Sequence, residues 1–258
     1  MKVKRYNKIM ISKYTYKGIT WIDLESPTES EISHITEEYS IPVVVSKELT
    51  IKSLLARADL YSAFIYLILY FPELSTKNNG IAEKEIDFII GDKYIITTHY
   101  GKIEAISKFS KNFEASTLLE KSMDIDHAGF LFFHIIKELY GNITYQFLDT
   151  NISNIKNNES ACLRLINLRH TIVYQEETLE SFGIISKLFF GEKFEYYIIK
   201  IKNEHKKVIT KINYQKDILT NKMELNKRLQ INKIYLASKY IIFISLIALF
   251  INFISLWL

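Results

Sequence analysis

The most regularly spaced small and polar side chains in this sequence lie inside its most apolar segment, residues 240–258. Ser245, Ala248, Asn252 and Ser255 follow one another at intervals of three, four and three residues, and Ser238 continues the series upstream. On an α-helix this spacing places all of them on one face, opposite isoleucine, leucine and phenylalanine. Such a face either offers oxygen atoms to a hydrated divalent cation or allows helices to pack closely.

Residues 240–258 contain no charged side chain. As a helix they would extend roughly 28 Å, close to the thickness of a bilayer's hydrocarbon core. Each Ile, Leu and Phe favours insertion, and together they outweigh one asparagine and two serines. The segment therefore predicts a single membrane-spanning helix, with a buried core helix of a soluble protein as the alternative. In a membrane, Asn252 should face another helix or water, because a lone amide is costly in hydrocarbon.

Basic residues crowd the sequence just before this segment, with Asp217 and Glu224 the nearby acids: Lys206, Lys207, Lys211, Lys222, Lys227, Arg228, Lys233 and Lys239. Positive side chains stay on the cytoplasmic side and attract anionic lipid head groups, so they predict that the upstream part is cytoplasmic. In an oligomer, the last four of these residues would form a ring of positive charge at the inner mouth of a pore.

A second group of residues has the types found in metal sites. Asp124, Asp126 and His127 lie near a predicted helix start, and His134 and Glu138 follow one and two turns later on a similar face. These residue types can bind a metal ion. Aspartate is also an ordinary helix cap, and a histidine among phenylalanines commonly belongs to a core. Both interpretations stay open at this point.

Other classes of function find little support. No phosphate-binding glycine loop, His-Glu-x-x-His or Gly-x-Ser-x-Gly motif occurs, and the chain has only 8 glycines, so we expect neither an enzyme nor a cofactor. His99 has no acidic partner nearby in sequence, which favours a structural role. A net charge of +4 without a basic and aromatic stretch argues against nucleic acid. The single Cys162 excludes an internal disulfide and suits a reducing cytoplasm.

The first half of the chain alternates apolar and polar residues as strands do. Thr28 and Glu31 form a predicted capping box before a helix that ends ahead of Pro42. The predicted elements are strands 8–14 and 19–24 with a turn at Lys17–Gly18, helix 28–40, a long central strand 60–71, and a hairpin of strands 83–90 and 94–98.

After His99 the apolar period changes to that of helices. We predict helices over 102–113, 126–158 and 159–188, a break at 189–191, and one uninterrupted helix from 194 to the end, about 90 Å long. An apolar stripe on this last helix begins with Val208, Ile212, Leu219 and Met223 and shifts to Leu225, Leu229 and Leu236. Such a stripe packs either against copies of itself or against the chain's own helices.

These patterns predict an α+β fold, with a mixed sheet flanked by helices and followed by a stalk helix that enters one C-terminal transmembrane helix. The expected boundaries are an α/β domain at 1–125, a helical part of the same cytoplasmic unit at 126–193, the stalk at 194–239 and the membrane helix at 240–258. With 48% apolar residues, the soluble part has enough material for a packed core.

Two stretches carry a family resemblance. Residues 21–28 read WIDLESPT with Glu31 downstream, and residues 88–99 read FIIGDKYIITTH. Together with the order of elements and the polar-to-apolar junction at 232–243, they resemble the CorA family of magnesium transport proteins. The resemblance extends over nearly the whole chain. It implies an N-terminal α/β domain, antiparallel helices, and a long stalk helix that lines the pore of a homopentamer.

The resemblance also implies passive transport of a divalent cation, Mg²⁺ and also Co²⁺, across the cell's inner membrane. The family's signature is Gly-Met-Asn after the first membrane helix, followed by a second span, and its asparagine ring captures the hydrated cation. No Gly-Met-Asn occurs here, and the sequence ends a few residues after Asn252. Asn252 is then the residue expected to meet the cation, with Ser245, Ala248 and Ser255 lining the pore.

Two functions follow from this comparison. The first is a CorA-like cation transport protein that works as a homo-oligomer in lipid, with a cytoplasmic domain that senses the cation. The alternative is a single-span accessory, regulatory or truncated membrane protein that oligomerises but does not conduct.

Overall fold

The computed structural model describes residues 11–74, 81–118, 127–149 and 158–255. Six strands and seven α-helices follow one another through these residues. The strands are β1 Ile11–Tyr16, β2 Ile19–Glu25, β3 Arg57–Leu60, β4 Phe64–Leu74, β5 Ile81–Gly91 and β6 Tyr94–His99. The helices are α1 Glu29–Glu38, α2 Val43–Glu48, α3 Glu104–Leu118, α4 Ala128–Ile143, α5 Asn158–Val173, α6 Glu176–Phe190 and α7 Glu195–Ser255. A π-helical segment, Thr144–Asp149, extends α4, and a 3₁₀ turn, Glu192–Phe194, precedes α7.

The six strands form one mixed sheet in the order β1-β2-β6-β5-β4-β3. Neighbouring strands are antiparallel except β2 and β6, which run parallel. The turn between β1 and β2 uses positive φ at Lys17 and Gly18, as predicted from the Lys-Gly pair. The predicted hairpin at 83–98 is confirmed as β5 and β6.

The predicted helix after Pro27 is confirmed as α1. Its capping box is complete, because the Thr28 hydroxyl accepts the Glu31 N–H while the Glu31 carboxylate accepts the Thr28 N–H at 2.7 Å. The long strand predicted over 60–71 begins too early, since Leu60 belongs to the short strand β3. The chain turns between Tyr61 and Phe64, whose backbones share a hydrogen bond of 2.9 Å, before β4 begins.

One face of the sheet packs on the later helices. Trp21, Phe88 and Ile95 point to this side and are fully buried. They contact a layer that includes Phe109 of α3 and Phe132 of α4, with Phe88 and Phe132 edge to face at 5.2 Å between ring centroids. Helix α7 packs in turn on α4 and α5, so the core is continuous from the sheet to the first half of α7.

The opposite face carries a smaller apolar layer. Ile22, Tyr66 and Ile89 project to this side, where Ile32 of α1 and Val45 of α2 cover them. Alternation along the strands therefore sends successive side chains into two different cores, as expected for a sheet buried on both faces.

The helix predicted without interruption over 159–188 is divided in two, which corrects that prediction. Helix α5 ends at Val173, and α6 begins at Glu176. The buried Gln175 side chain at the junction accepts the Tyr70 N–H at 2.7 Å and donates to the Tyr70 carbonyl at 2.6 Å. Strand β3 pairs with β4 only as far as Ile68. Gln175 therefore supplies hydrogen bonds to the backbone of β4 at Tyr70, beyond the end of β3.

Replacing Gln175 by leucine should therefore destabilise the protein by roughly 2–4 kcal/mol, because two buried backbone groups lose the hydrogen bonds that the Gln175 side chain supplies. Urea unfolding of the chain in detergent measures this. Gln230→Leu, at an exposed position of α7, is the matched control and should change the free energy of unfolding by less than about 0.5 kcal/mol. Equal effects of the two substitutions would contradict the role assigned to Gln175.

Helix α7 confirms the single uninterrupted helix predicted from residue 194. Its 61 residues span roughly 90 Å. Val208, Ile212 and Leu219 are buried against the chain's own helices, whereas Leu225 and Leu229 are more than half exposed. The stripe thus packs on the chain itself in its first half and is uncovered in its second half. The fold class predicted from the sequence is confirmed, while the domain boundaries stay a prediction.

Candidate functional site

The end of α7, residues 240–255, is an apolar rod, and every side chain of it whose burial is described is exposed. Helix α7 is long and apolar enough to cross a membrane. The 18-residue stretch of it that has the hydropathy of a membrane span is not buried by the described part of the chain. Ile241, Ile244 and Leu249, on different sides of the helix, are 66%, 63% and 64% exposed. A core helix of a soluble protein would be covered, so the structure favours the membrane-spanning interpretation.

The row of small and polar residues lies on this uncovered helix. Ser245 and Asn252 are both exposed, and Ala248 lies between them on the same face. The Ser245 hydroxyl donates to the Ile241 carbonyl one turn back, as serine does in an apolar environment. Ser255 is the last described residue of the helix. Because Ser245 and Asn252 are exposed within the described part of the chain, the function of the row depends on what lies beside it in the membrane.

The basic residues expected near the membrane lie on the exposed stretch of α7 that precedes the row. Lys227, Arg228, Lys233 and Lys239 are all solvent-exposed. The Lys239 ammonium lies 4.8 Å from the centre of the Tyr235 ring, which holds its aliphatic stem along the helix. These four charges form a collar directly before the apolar rod.

Of the residues considered for a metal site around His127, the structure describes three, and these three have separate environments. Asp124 and Asp126 lie outside the described residues. His127 is the N-cap of α4, where its Nδ1 accepts the Gly129 N–H at 3.1 Å, and its ring stacks on Phe190 at 4.6 Å between centroids. The structure therefore gives His127 the capping and packing role that was the alternative.

His134 and Glu138 have separate environments. Burial lowers the pKa of His134, and Lys137 and Lys200 lower it further. Glu138 forms an ion pair with Lys108 at 2.7 Å. Among residues 11–74, 81–118, 127–149 and 158–255, no three His, Cys, Asp or Glu side chains are grouped to hold a metal ion.

A buried polar network that sequence reasoning missed joins β2 and β6. The Trp21 indole N–H donates to the Thr97 hydroxyl at 3.0 Å, and that hydroxyl donates to Asp23 Oδ1 at 2.5 Å. His99 Nε2 donates to the same carboxylate oxygen at 3.2 Å, while Nδ1 donates to the Gly101 carbonyl at 2.7 Å. Parallel pairing brings these groups together, because Asp23 lies beside Thr97 and Glu25 beside His99.

The network favours a charged His99. Both of its ring nitrogens face oxygen atoms of groups that accept hydrogen bonds, a carbonyl and the Asp23 carboxylate, and this arrangement stabilises the imidazolium form of the ring. Burial alone would lower the pKa of His99, but the hydrogen bond and charge of Asp23 outweigh burial and raise it. The expected structural role of His99 is supported, and its acidic partner lies 76 residues away in sequence. Both residues occur in the two stretches that carry the family resemblance.

The fold and the uncovered helix together define a membrane protein with a large water-soluble α+β part. Residues 16–235 match the family model described as CorA-like Mg²⁺ transporter protein. The match covers most of the chain and includes both the sheet and the stalk. The chain therefore belongs to the CorA-like family of divalent cation transporters, which is a family of transporters rather than of enzymes.

Solved structures share this fold at low sequence identity. The complete CorA magnesium transporter from Methanocaldococcus jannaschii is 18% identical with a TM-score of 0.62, and the match covers 88% of this chain and 78% of that one. The full-length CmaX protein is 10% identical with a TM-score of 0.66, covering 81% and 68% respectively. The ZntB cytoplasmic domain from Vibrio parahaemolyticus is 14% identical with a TM-score of 0.61, covering 83% and 89%. No curated protein sequence matches.

Proposed function

We propose that this chain assembles into a homo-oligomer that carries Mg²⁺ passively across the inner membrane, down the membrane potential. The observation that carries the proposal is the uncovered apolar end of α7, with one polar row, attached to the family's soluble fold. In the oligomer the row would face the centre, where Asn252 amides contact a cation that keeps its water shell. Ser245, Ala248 and Ser255 would line the same path.

Oligomerisation is supported by the uncovered stripe of the stalk. Leu225, Leu229 and Leu236 are each more than half exposed at the part of α7 that has left the body of the protein. Apolar side chains in this position are stabilised when neighbouring stalks pack against them. A pentamer is the state that family membership suggests. Co²⁺ is a second proposed cargo, because the proposed contacts act on a hydrated ion and discriminate weakly among such ions.

The collar of Lys227, Arg228, Lys233 and Lys239 would stand at the inner mouth of the path. A ring of positive charge opposes the passage of cations, so conduction requires that the collar is screened or moved aside. We propose that the cytoplasmic domain does this in response to the cation level. The same collar also anchors the helix at anionic lipid head groups.

A second function is favoured by one feature of the sequence, which contains no Gly-Met-Asn. In that case the chain is an accessory subunit that oligomerises without conducting. Expression in a bacterium deleted for its own magnesium transporters distinguishes the two functions. Growth at low Mg²⁺ supports transport by this chain, whereas growth only when a complete family member is co-expressed supports the accessory function.

We also predict the orientation of the chain in the membrane. The basic collar should leave the soluble part in the cytoplasm and Leu258 at the outer face. In a Cys162→Ser background, Leu258→Cys should react with a membrane-impermeant thiol reagent added to intact cells. A cysteine at the exposed cytoplasmic position of Ser238 is the matched control and should react only after lysis. The opposite pattern would reverse the proposed topology.

A further inference from the structure

A pair of acidic side chains lies in the interior of the smaller core layer. Glu85 and Asp87 are on the same face of β5, two residues apart, and are 2% and 0% exposed. Neither takes part in the membrane path or in the Asp23–His99 network. Buried carboxylates are rare unless they are paired with a cation or well supplied with hydrogen-bond donors.

Few donors reach this pair. The Ser53 N–H is shared between the two Glu85 oxygens at 2.9 Å each. The Tyr70 hydroxyl has one hydrogen, and its 2.6 Å contact with the Ser53 carbonyl is shorter than its 3.1 Å contact with Glu85. The Tyr66 hydroxyl is 3.5 Å from Asp87 Oδ2. Asp87 Oδ1 has no hydrogen-bond partner within the described residues.

Charged and titratable groups around the pair neutralise it only in part. The Arg57 guanidinium lowers the pKa of Asp87, but it lies 5.4 Å from the centre of the Tyr66 ring and forms ion pairs with Glu48 and Asp59 that share its charge. The Lys52 ammonium lies over the Tyr70 ring at 6.0 Å. The remaining groups around the pair are acidic or neutral and add no positive charge: Glu48, Glu83, Tyr66, Tyr70 and Tyr100. Two negative charges would therefore remain in a low-dielectric interior.

We propose that Asp87 holds a proton at neutral pH and that this protonated carboxyl, beside Glu85, keeps segment 49–56 attached to the sheet. The segment joins α2 to β3, and Ser53 attaches it to Glu85 while its carbonyl accepts the Tyr70 hydroxyl. A bound Mg²⁺ fits this place poorly, because Mg²⁺ keeps several waters and requires six ligands in octahedral geometry. A proton needs no such space and removes one of the two charges.

The raised pKa of Asp87 determines on which side of the pH scale segment 49–56 is released. Burial and the neighbouring Glu85 raise the pKa of Asp87 well above its ordinary value. The protonated Asp87 thus contributes stability that is fully present below the ordinary carboxyl pKa and is lost as pH rises through the pKa that Asp87 has in the folded protein. The second negative charge then repels Glu85, and segment 49–56 is released on the alkaline side.

Hydrogen exchange of the full chain in detergent tests this. The protection factor of peptides covering residues 49–56 should fall by up to about tenfold per pH unit above the folded pKa, because one proton is linked to release. In Asp87→Asn the protection factor should stay constant across the same pH range. Asp92→Asn, at an exposed turn of the same hairpin, is the matched control and should keep the wild-type fall.

Glu85→Gln provides a second variant if Asp87→Asn does not fold, and it should also abolish the pH dependence. Infrared spectra of the wild type at pH 7 should contain the carbonyl band of a protonated carboxylic acid that is missing from either variant. A wild-type protection factor independent of pH, an equal fall in Asp87→Asn, or a missing carboxylic acid band would each overturn the proposal.

Discussion

Trp21→Ala should lower the free energy of unfolding by about 3–5 kcal/mol, the usual cost of removing a fully buried aromatic ring. The Trp21 ring is 0% exposed and stacks on Tyr14 at 5.0 Å between centroids, with Phe109 at 5.4 Å. Its N–H also holds the Thr97 hydroxyl in the orientation that serves Asp23. The substitution therefore removes packing and disorganises the polar network.

Two further variants separate these contributions in urea unfolding experiments. Trp21→Phe retains an aromatic ring and loses the N–H, so it should cost about 1–3 kcal/mol. Tyr174→Ala removes an aromatic ring that is 58% exposed and should cost much less than Trp21→Ala. If Trp21→Ala were no more destabilising than Tyr174→Ala, Trp21 would not organise the core as described.

Asn252→Leu should abolish Mg²⁺ uptake while leaving membrane insertion intact or improved. The amide is the strongest polar group of the row, and leucine is favourable in hydrocarbon where asparagine is costly. Ile251→Leu, on the neighbouring face, is the matched control because it adds the same side chain without removing a polar group. Tracer uptake and the yield of membrane-inserted protein measure the two effects.

The other role of Asn252 has a different outcome. If its amide only joins neighbouring helices, Asn252→Leu should weaken the oligomer by about 1 kcal/mol per contact and leave the flux unchanged. Light scattering of the detergent-solubilised protein at several concentrations measures this weaker association of the oligomer. Unchanged flux with a weaker oligomer would contradict the pore-lining role.

Local patterns were sufficient to predict most elements of the fold. The β5–β6 hairpin follows from alternation around Gly91 and Asp92, and α1 from the Thr28–Glu31 capping box. The length and composition of α7 predicted both its continuity and its apolar end. Each of these features depends on residues close together in sequence, where periodicity and capping chemistry act.

The features that were missed depend on contacts between distant residues. Nothing at Tyr174–Gln175 resembles a helix break, because the interruption is stabilised by the free edge of β4 more than 100 residues away. Asp23 and His99 become partners only through the parallel pairing of β2 and β6. In the same way, the role of the Asn252 row is decided by neighbouring helices and not by the chain itself.

We propose that this chain conducts Mg²⁺ without another protein. The most direct measurement is Mg²⁺ influx into liposomes that contain only the purified protein, with an imposed potential that is negative inside. We expect Mg²⁺ influx that rises with the potential, is absent from empty liposomes and is lost with Asn252→Leu. Intact oligomers in the liposome membrane without any influx would contradict the claim and leave the accessory function standing.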